Sequence, residues 1–342
     1  MKVIDKKKIS ELKQLIDLSI NPLIITHYNP DGDAIGSMLA MYHYLVKKGK
    51  NPVMVSPNDY PEFLHWMAGN DKVTVYKRNT GTVINALNKA DLIIVVDFND
   101  PERTEGLEKY INEASGKKVM IDHHPNPKDF ADIVISDINY SSTAEIVYHV
   151  IESLGDEELI DKDCAECIYC GIMTDTGSFN FNSSKPYTYH VVSKLLMLGI
   201  NKDRIYWNVY DNFSVDRMRL LGYCLYNKMV VLPEYRTAYI SLTKKDIQEF
   251  KFSPGDTEGF VNYPLSIKGI RFTAIFIEHD KFVKISFRSK GNFGANKFAE
   301  ENFNGGGHLN ASGGNSYLSL EETLKKFQDL LPKYKTELLN DF

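Results

Sequence analysis

Four short segments of this sequence concentrate oxygen and imidazole donors. They are His27-Tyr28-Asn29-Pro30-Asp31-Gly32-Asp33, Asp97, Asp122-His123-His124 and Thr174-Asp175-Thr176-Gly177. Such donors suit manganese, magnesium or zinc. No single segment fills two metal sites. Together they supply enough ligands for two ions sharing a bridging carboxylate, an arrangement that activates a water and clamps both oxygens of a phosphoryl displacement. In the first segment Pro30 and Gly32 shape a tight loop, so His27, Asp31 and Asp33 can be presented from a few residues of backbone. Carboxylates this close repel one another unless cations lie between them. A helix cap would account for one Asp, but not for the His and both Asps. Asp97 ends an apolar run, where an unpaired carboxylate is costly. Asp122-His123-His124 sets two imidazoles beside a carboxylate, so one can ligate a metal while the other acts on substrate or leaving group. Arg103 is near enough in sequence to orient a carboxylate or meet a phosphate.

A second set of candidates lies late in the chain. Asn304-Gly305-Gly306-Gly307-His308 allows close backbone approach, and successive N–H groups there can form an anion-binding nest with His308 at its edge. Arg288-Ser289-Lys290, at a strand end, adds a planar guanidinium suited to phosphate. Phe293 can stack a base or serve as a core aromatic. Cys164, Cys167 and Cys170 form CxxCxxC, which reads as an iron–sulfur or zinc fragment or as one buried helix face. The helix reading is preferred, because a three-residue step keeps all three near one side and the usual following Cys and Pro are missing.

The elements that must position these groups follow from periodicity. Residues 22–26, 52–56, 92–96 and 118–121 read as buried strands, and residues 34–48 as an amphipathic helix stopped by Gly49. This alternation predicts an α/β domain, a mostly parallel sheet with flanking helices. The first three donor segments sit at the carboxyl ends of successive strands, where open α/β sheets bind ligands. From about Ser141 to Val230 the pattern is helical, with Ser142 and Glu145 at capping-box spacing. Pro233 marks a boundary near residue 230. Beyond it, strands at 237–243, 270–278 and 282–288, a turn at His279-Asp280-Lys281, and helices at 295–303 and 320–331 predict a smaller α+β domain. The expected division is residues 1–230, carrying the metal-binding chemistry, and residues 231–342, binding substrate, with the active site in the cleft between them.

A chain of 342 residues has room for two cores. Its formal net charge of −5 argues against broad coating of nucleic acid. The N-terminal MKVIDKKKISELKQLI reads as an amphipathic helix rather than a signal peptide. No apolar run approaches the roughly 20 residues of a membrane span, so a cytoplasmic protein with no membrane partner is expected. The Tyr-rich stretch from Ile205 to Phe213 leaves a homodimer face open beside a core role.

In combination these segments resemble the DHH phosphoesterase family with its DHH-associated C-terminal domain. Asp122-His123-His124 is the name-giving triplet. His27-x-x-Pro30-Asp31-Gly32-Asp33, Val96-Asp97 and Thr174-Asp175-Thr176-Gly177-Ser178-Phe179 match the other motifs in order, and Gly305-Gly306-Gly307-His308 matches the C-terminal signature. The resemblance covers about residues 20–330, with one departure at Asn180, where many members carry Arg. Within the family, size and motif wording are similar to the nano-RNase subgroup. That likeness implies two Mn2+ ions, with Mg2+ or Co2+ as alternatives. One would be held by His27, Asp31 and Asp97, the other by Asp33, Asp97, His123 and Asp175. It implies His124 beside the scissile phosphate, Asp122 orienting a histidine, and phosphate contacts from Arg288, Ser289, Gly305, Gly306, Gly307 and His308. The implied substrates are short RNA oligonucleotides and 3′-phosphoadenosine 5′-phosphate (pAp). Cyclic di-AMP with its product pApA is the alternative, and polyphosphate or pyrophosphate stands behind it. A long-strand exonuclease is disfavoured for want of a basic track, and a noncatalytic sensor because no motif is lost.

Overall fold

Leu92-Ile93-Ile94-Val95-Val96 has no side chain to turn toward water, and all five residues are buried. They form β4, at the centre of a parallel sheet in the computed structural model, which describes residues 4–252 and 255–340. The first residues of the expected N-terminal helix, and the outermost residues of both expected domains, lie outside that range. The sheet comprises β1 (Pro22–Ile25), β2 (Val53–Ser56), β3 (Val73–Val75), β4 (Leu92–Val96), β5 (Lys117–Asp122) and β6 (Ile133–Ser136). Its order is β3-β2-β1-β4-β5-β6, with every pairing parallel.

Both faces are covered, as a parallel sheet requires. On one face Ile24, Ile94, Val96, Val119 and Ile121 join a core with α1 (Lys6–Leu18), α2 (Gly32–Lys47), α5 (Thr143–Ser153) and α6 (Lys162–Asp175). On the other, Leu23, Ile25, Val55, Ile93, Val95 and Met120 pack with α3 (Thr80–Lys89) and α4 (Glu108–Glu113). The cysteines Cys164, Cys167 and Cys170 are all buried in α6, and burial pushes the Cys164 and Cys167 thiols up. Cys164 Sγ lies 3.5 Å from the Ala40 carbonyl oxygen of α2, so this face of α6 is a helix contact. α7 (Pro186–Met197) and α8 (Lys202–Tyr210) complete the unit. On α8, Ile205 and Val209 are buried while Trp207 is 60 % exposed. That helix is therefore core on one side only. Tyr206 and Trp207 line a cavity of about 300 Å³ with Tyr169, Phe179 and Tyr189.

The chain divides into two compact units at Asn212/Phe213, earlier than the residue 230 expected from Pro233. The reason is packing. Leu220 and Leu221 of α9 (Val215–Tyr223), with Cys224, share a core with Ile240, Leu242, Ile275 and Ile277 of the second unit. β7 (Met229–Leu232) also precedes Pro233 and pairs with β8 (Thr237–Leu242). The second sheet adds β9 (Phe272–Glu278), β10 (Val283–Ser289), β11 (Gly306–His308) and β12 (Ala311–Ser316), in the order β11-β12-β10-β9-β8-β7. β8 and β9 are parallel and the other pairs antiparallel. α10 (Lys244–Glu249), α11 (Asn262–Leu265), α12 (Ala295–Asn302), α13 (Leu320–Leu330) and α14 (Lys335–Leu339) accompany it. Phe272, Phe276, Phe287, Phe298 and Phe327 form its aromatic centre. Phe293 belongs there too, with its ring centroid 4.8 Å from that of Phe272.

One buried histidine of the first unit makes folding sensitive to acid. His149 Nδ1 lies 3.0 Å from the Tyr187 hydroxyl and 3.2 Å from Glu152 Oε2, and its Nε2 is buried without a hydrogen-bond partner. Burial, with the charge of His190 adding to it, holds its pKa down to about 4. The folded protein keeps His149 neutral where the unfolded chain, with a pKa near 6.5, takes a proton. Its contribution is therefore complete above pH ~6.5 and declines as pH falls toward ~4, by about 3 kcal/mol in total. Denaturant unfolding of wild type and His149→Gln at pH 7.5, 5.5 and 4.5 should show the wild type losing this increment. Parallel curves would rule it out.

Candidate metal centre

β1 leads outward to β2, and β4 leads the opposite way to β5, so the strand order reverses between two adjacent strands. Carboxyl ends at such a reversal leave a crevice. His27 follows β1, Asp97 follows β4, and Asp122 closes β5 with His123 and His124 after it. The four donor segments are brought together there by α2 and α6 as well. Asp31 caps α2, its Oδ1 accepting from the Asp33 and Ala34 N–H groups at 3.0 and 3.1 Å. Asp33 lies in the first turn of that helix, and Asp175 is the last residue of α6.

Asp97 adopts a left-handed backbone, φ 64°, while its N–H still bonds the Ile121 carbonyl at 3.1 Å. A non-glycine residue is uncommon there, and such strain clusters at functional sites. His27 Nε2 lies 3.4 Å from Asp97 Oδ2, and His123 Nε2 lies 3.7 Å from Asp97 Oδ1. His123 Nε2 is also 3.4 Å from Asp175 Oδ2 and 3.7 Å from Asp33 Oδ2. One donor atom each from His27, Asp31 and Asp97 fall within 4.8 Å of one another, as do one each from Asp33, His123 and Asp175. The structure thus gathers two ligand groups that meet at Asp97.

The electrostatics fit divalent cations. Burial, followed by the charges of Asp97, Asp175 and Asp31, raises the Asp33 carboxyl well above the usual range. Burial works against ionising Asp97 as well, but the His27 hydrogen bond first, and positive charge including that of Arg103 after it, bring it down to about 2. Burial lowers His123, favouring the neutral imidazole that ligates a metal. Asp122 is pushed up to about 7, by burial first and by Asp97 second. Its Oδ1 sits 2.8 Å from His124 Nδ1, and its Oδ2 accepts from the His124 backbone N–H. This contact fixes the imidazole ring, as a second carboxylate commonly does beside a metal.

Three hydrogen bonds were not legible from residue type. Thr143 Oγ1 donates to Asp97 Oδ1 at 2.8 Å, and the Thr143 and Ala144 N–H groups donate to Asp33 Oδ2 and Oδ1 at 2.7 and 2.9 Å. The only hint was a cap signal preceding α5. The expected Ser142–Glu145 capping box is also displaced. Ser142 Oγ accepts from the Glu145 N–H, but Glu145 Oε2 accepts from the N–H and hydroxyl of Ser141.

Two family models match in order, "DHH family, N-terminal domain" over residues 21–172 and "DHHA1 domain" over residues 235–336. The chain belongs to the DHH family. This DHH protein is 29% identical over 324 residues to a bifunctional oligoribonuclease and PAP phosphatase, NrnA, of Bacillus subtilis, covering 94% of this chain and 97% of that one. It is 25% identical to a cyclic-di-AMP phosphodiesterase, PdeA, of Listeria monocytogenes, across 87% of this chain and 45% of that protein. The crystal structure of an exopolyphosphatase-related protein from Bacteroides fragilis superposes with a TM-score of 0.95 at 44% identity, covering 99% of this chain and 100% of the other.

In the DHHA1 region of this DHH protein, Arg288 and Ser289 end β10. Arg288 Nη1 donates to the Phe287 carbonyl at 2.9 Å. The buried Ser289 hydroxyl donates to the Phe293 carbonyl and accepts from the Asn310 side chain. It is thus engaged in holding the 289–293 turn. Gly306, Gly307 and His308 form edge strand β11, paired with Gly313, Ser312 and Ala311. The glycine run thus forms one strand of a hairpin. The close approach that glycine permits is to the neighbouring strand, for a Cβ on Gly305 would lie 2.0 Å from the Gly313 carbonyl oxygen. Among the described residues no helix is long and apolar enough to cross a membrane.

Proposed function

We propose that this DHH protein is a two-metal phosphohydrolase that degrades short oligoribonucleotides to mononucleotides and removes the 3′-phosphate of pAp. The observation that carries this reading is Asp97, one buried carboxylate within reach of His27 at one oxygen and His123 at the other. The name of the Bacillus subtilis relative supports the substrate class. One Mn2+ would be held by His27, Asp31 and Asp97 and a second by Asp33, Asp97, His123 and Asp175, with Mg2+ or Co2+ as alternatives. When bound, such ions supply Lewis-acid polarisation of the phosphoryl group and acidify a water.

The protein's own groups do the rest. Asp122 holds His124 through Nδ1, so exchange of a proton with substrate falls to Nε2. Water attacks phosphorus in line, gives up a proton to solvent, and the P–O bond to the nucleoside breaks. The departing oxygen takes its proton from His124 Nε2. Arg288 and the Gly305–His308 segment bind phosphate of the substrate. Cyclic di-AMP opening is the second reading, favoured by the Listeria monocytogenes relative.

The test is product analysis with Mn2+ on pAp, a 5′-phosphorylated diadenylate, cyclic di-AMP, a 24-residue RNA and pyrophosphate in parallel. Preferential cleavage of the diadenylate and pAp is expected. Faster opening of cyclic di-AMP would install the second reading. Activity on pyrophosphate alone would overturn the nucleotide assignment and leave the metal centre standing.

A further inference from the structure

We infer that Thr143 is a positioning residue for the metal centre, setting the separation of the two ligand groups from the first turn of α5. This inference rests on the two-metal reading above. Asp33 and Asp97 come from different elements, and neither is a sequence neighbour of Thr143. Yet Thr143 touches both, through its hydroxyl to Asp97 Oδ1 and its backbone N–H to Asp33 Oδ2. The Ala144 N–H takes the other Asp33 oxygen. Each of the two Thr143 bonds uses one lone pair of a carboxylate oxygen and leaves a second for a cation, while Asp33 Oδ1 also accepts from the Ser37 hydroxyl.

The hydroxyl is not needed to build the helix. Capping of α5 is done by Ser142, whose side chain accepts from the Glu145 N–H. Thr143 is therefore released from the local hydrogen bonding that Ser and Thr usually perform at helix starts. The orphan N–H groups of the first helical turn are spent on a carboxylate instead of water, at the positive end of the helix dipole.

The turn is itself braced. Glu145 is 2 % exposed, and its carboxylate is fully engaged. It accepts from the Ser141 N–H at 2.9 Å, from the Ser141 hydroxyl, and from Thr188 Oγ1 of α7 at 3.1 Å. Residues 141–145 are tied to α7 on one side and to both metal carboxylates on the other. The reach of this turn, from the helix layer to the strand end, makes it a gauge for the distance between Asp33 and Asp97.

The experiment compares Thr143→Val, which keeps the shape and deletes the hydroxyl, with Thr143→Ser, which keeps it. Mn2+ binding to the nucleotide-free proteins is followed by the free-ion electron paramagnetic resonance signal, and folding by thermal melting in chelator. Thr143→Val should bind Mn2+ about 10- to 100-fold more weakly, the loss typical when a partner of a metal ligand is removed. Its metal-free melting temperature should stay close to that of the wild type, and Thr143→Ser should recover binding to within a few-fold. Thr143→Ala gives the same test if the valine variant folds poorly. Wild-type Mn2+ affinity in the folded valine or alanine variant would overturn the inference, as would failure of Thr143→Ser to restore binding. Absence of Mn2+ binding by the wild type would overturn the two-metal reading itself, and the inference with it, before any variant is compared.

Discussion

Asp97→Asn should lower phosphodiester turnover by about 1,000-fold or more while leaving the metal-free protein folded. Loss of a partner behind a metal ligand costs roughly 10- to 100-fold, and Asp97 is placed to serve both ligand groups directly. Its Oδ2 faces His27 and its Oδ1 faces His123 and Thr143. An amide matches the carboxylate in size, so packing around the buried β4 end is preserved. It removes the charge, however, and turns one acceptor into a donor. In chelator the variant should stay folded and melt only slightly lower, because relief of repulsion on Asp33 offsets part of the stability lost with the His27 contact that holds Asp97 ionised. The discriminating readout is metal-dependent melting. A ligand that binds only the folded state stabilises by about 2.7 kcal/mol at a hundredfold excess over its Kd, so Mn2+ should raise the wild-type transition and leave that of Asp97→Asn nearly unmoved. Wild-type turnover in this variant would show that the two groups do not depend on a shared carboxylate.

The donor residues were legible because chemistry and topology coincide at them. His27, Asp97 and Asp122 to His124 follow apolar runs too short for a helix and too hydrophobic for a loop, and parallel strands deliver such ends to one edge, whereas Asp175 comes from the end of helix α6. Strand 92–96 was legible to the residue for the same reason. β12 was not, for Ala-Ser-Gly-Gly-Asn-Ser carries no apolar alternation. It is a strand because β10 and β11 supply partners on both sides. β7 was not legible because Pro233 reads as a break, although the apolar run before it pairs with β8. The role of Thr143 was not legible, since a Ser-Ser-Thr start signals helix initiation without saying which hydroxyl turns inward. The glycine run shows the same limit. Its composition does not announce a strand, and the pairing of Gly306–His308 with Ala311–Gly313 supplies it.

Gly171→Ala should damage catalysis more than stability, because the methyl group would intrude on the ligand Asp33. A Cβ at Gly171 would stand 2.5 Å from the Ala144 Cβ and 2.8 Å from Asp33 Oδ1. At Gly36, on the facing helix, a Cβ would meet the Cys167 carbonyl oxygen at 2.6 Å. Helices α2 and α6 therefore cross almost backbone to backbone, and the start of α5 closes on the same point. The Ala144 Cβ and Cys167 carbonyl cannot swing aside and Asp33 Oδ1 is held by the Ala144 N–H, so relief requires moving a helix or displacing the Asp33 carboxylate. Overpacking of this kind costs about 1–3 kcal/mol, partly offset by the roughly 1 kcal/mol gained when alanine replaces glycine within a helix. The melting temperature should fall by only a few degrees. A ligand displaced by about 1 Å can cost on the order of 100-fold in rate, so turnover and Mn2+ affinity should fall together by about that factor. Gly222→Ala is the control, since that helical glycine has nothing within 4 Å of its would-be Cβ. It should melt slightly higher and keep full activity. Equal activity in the two variants would mean that the α2–α6 crossing can open without disturbing Asp33, and that the carboxylate is held by the α5 N–H groups alone.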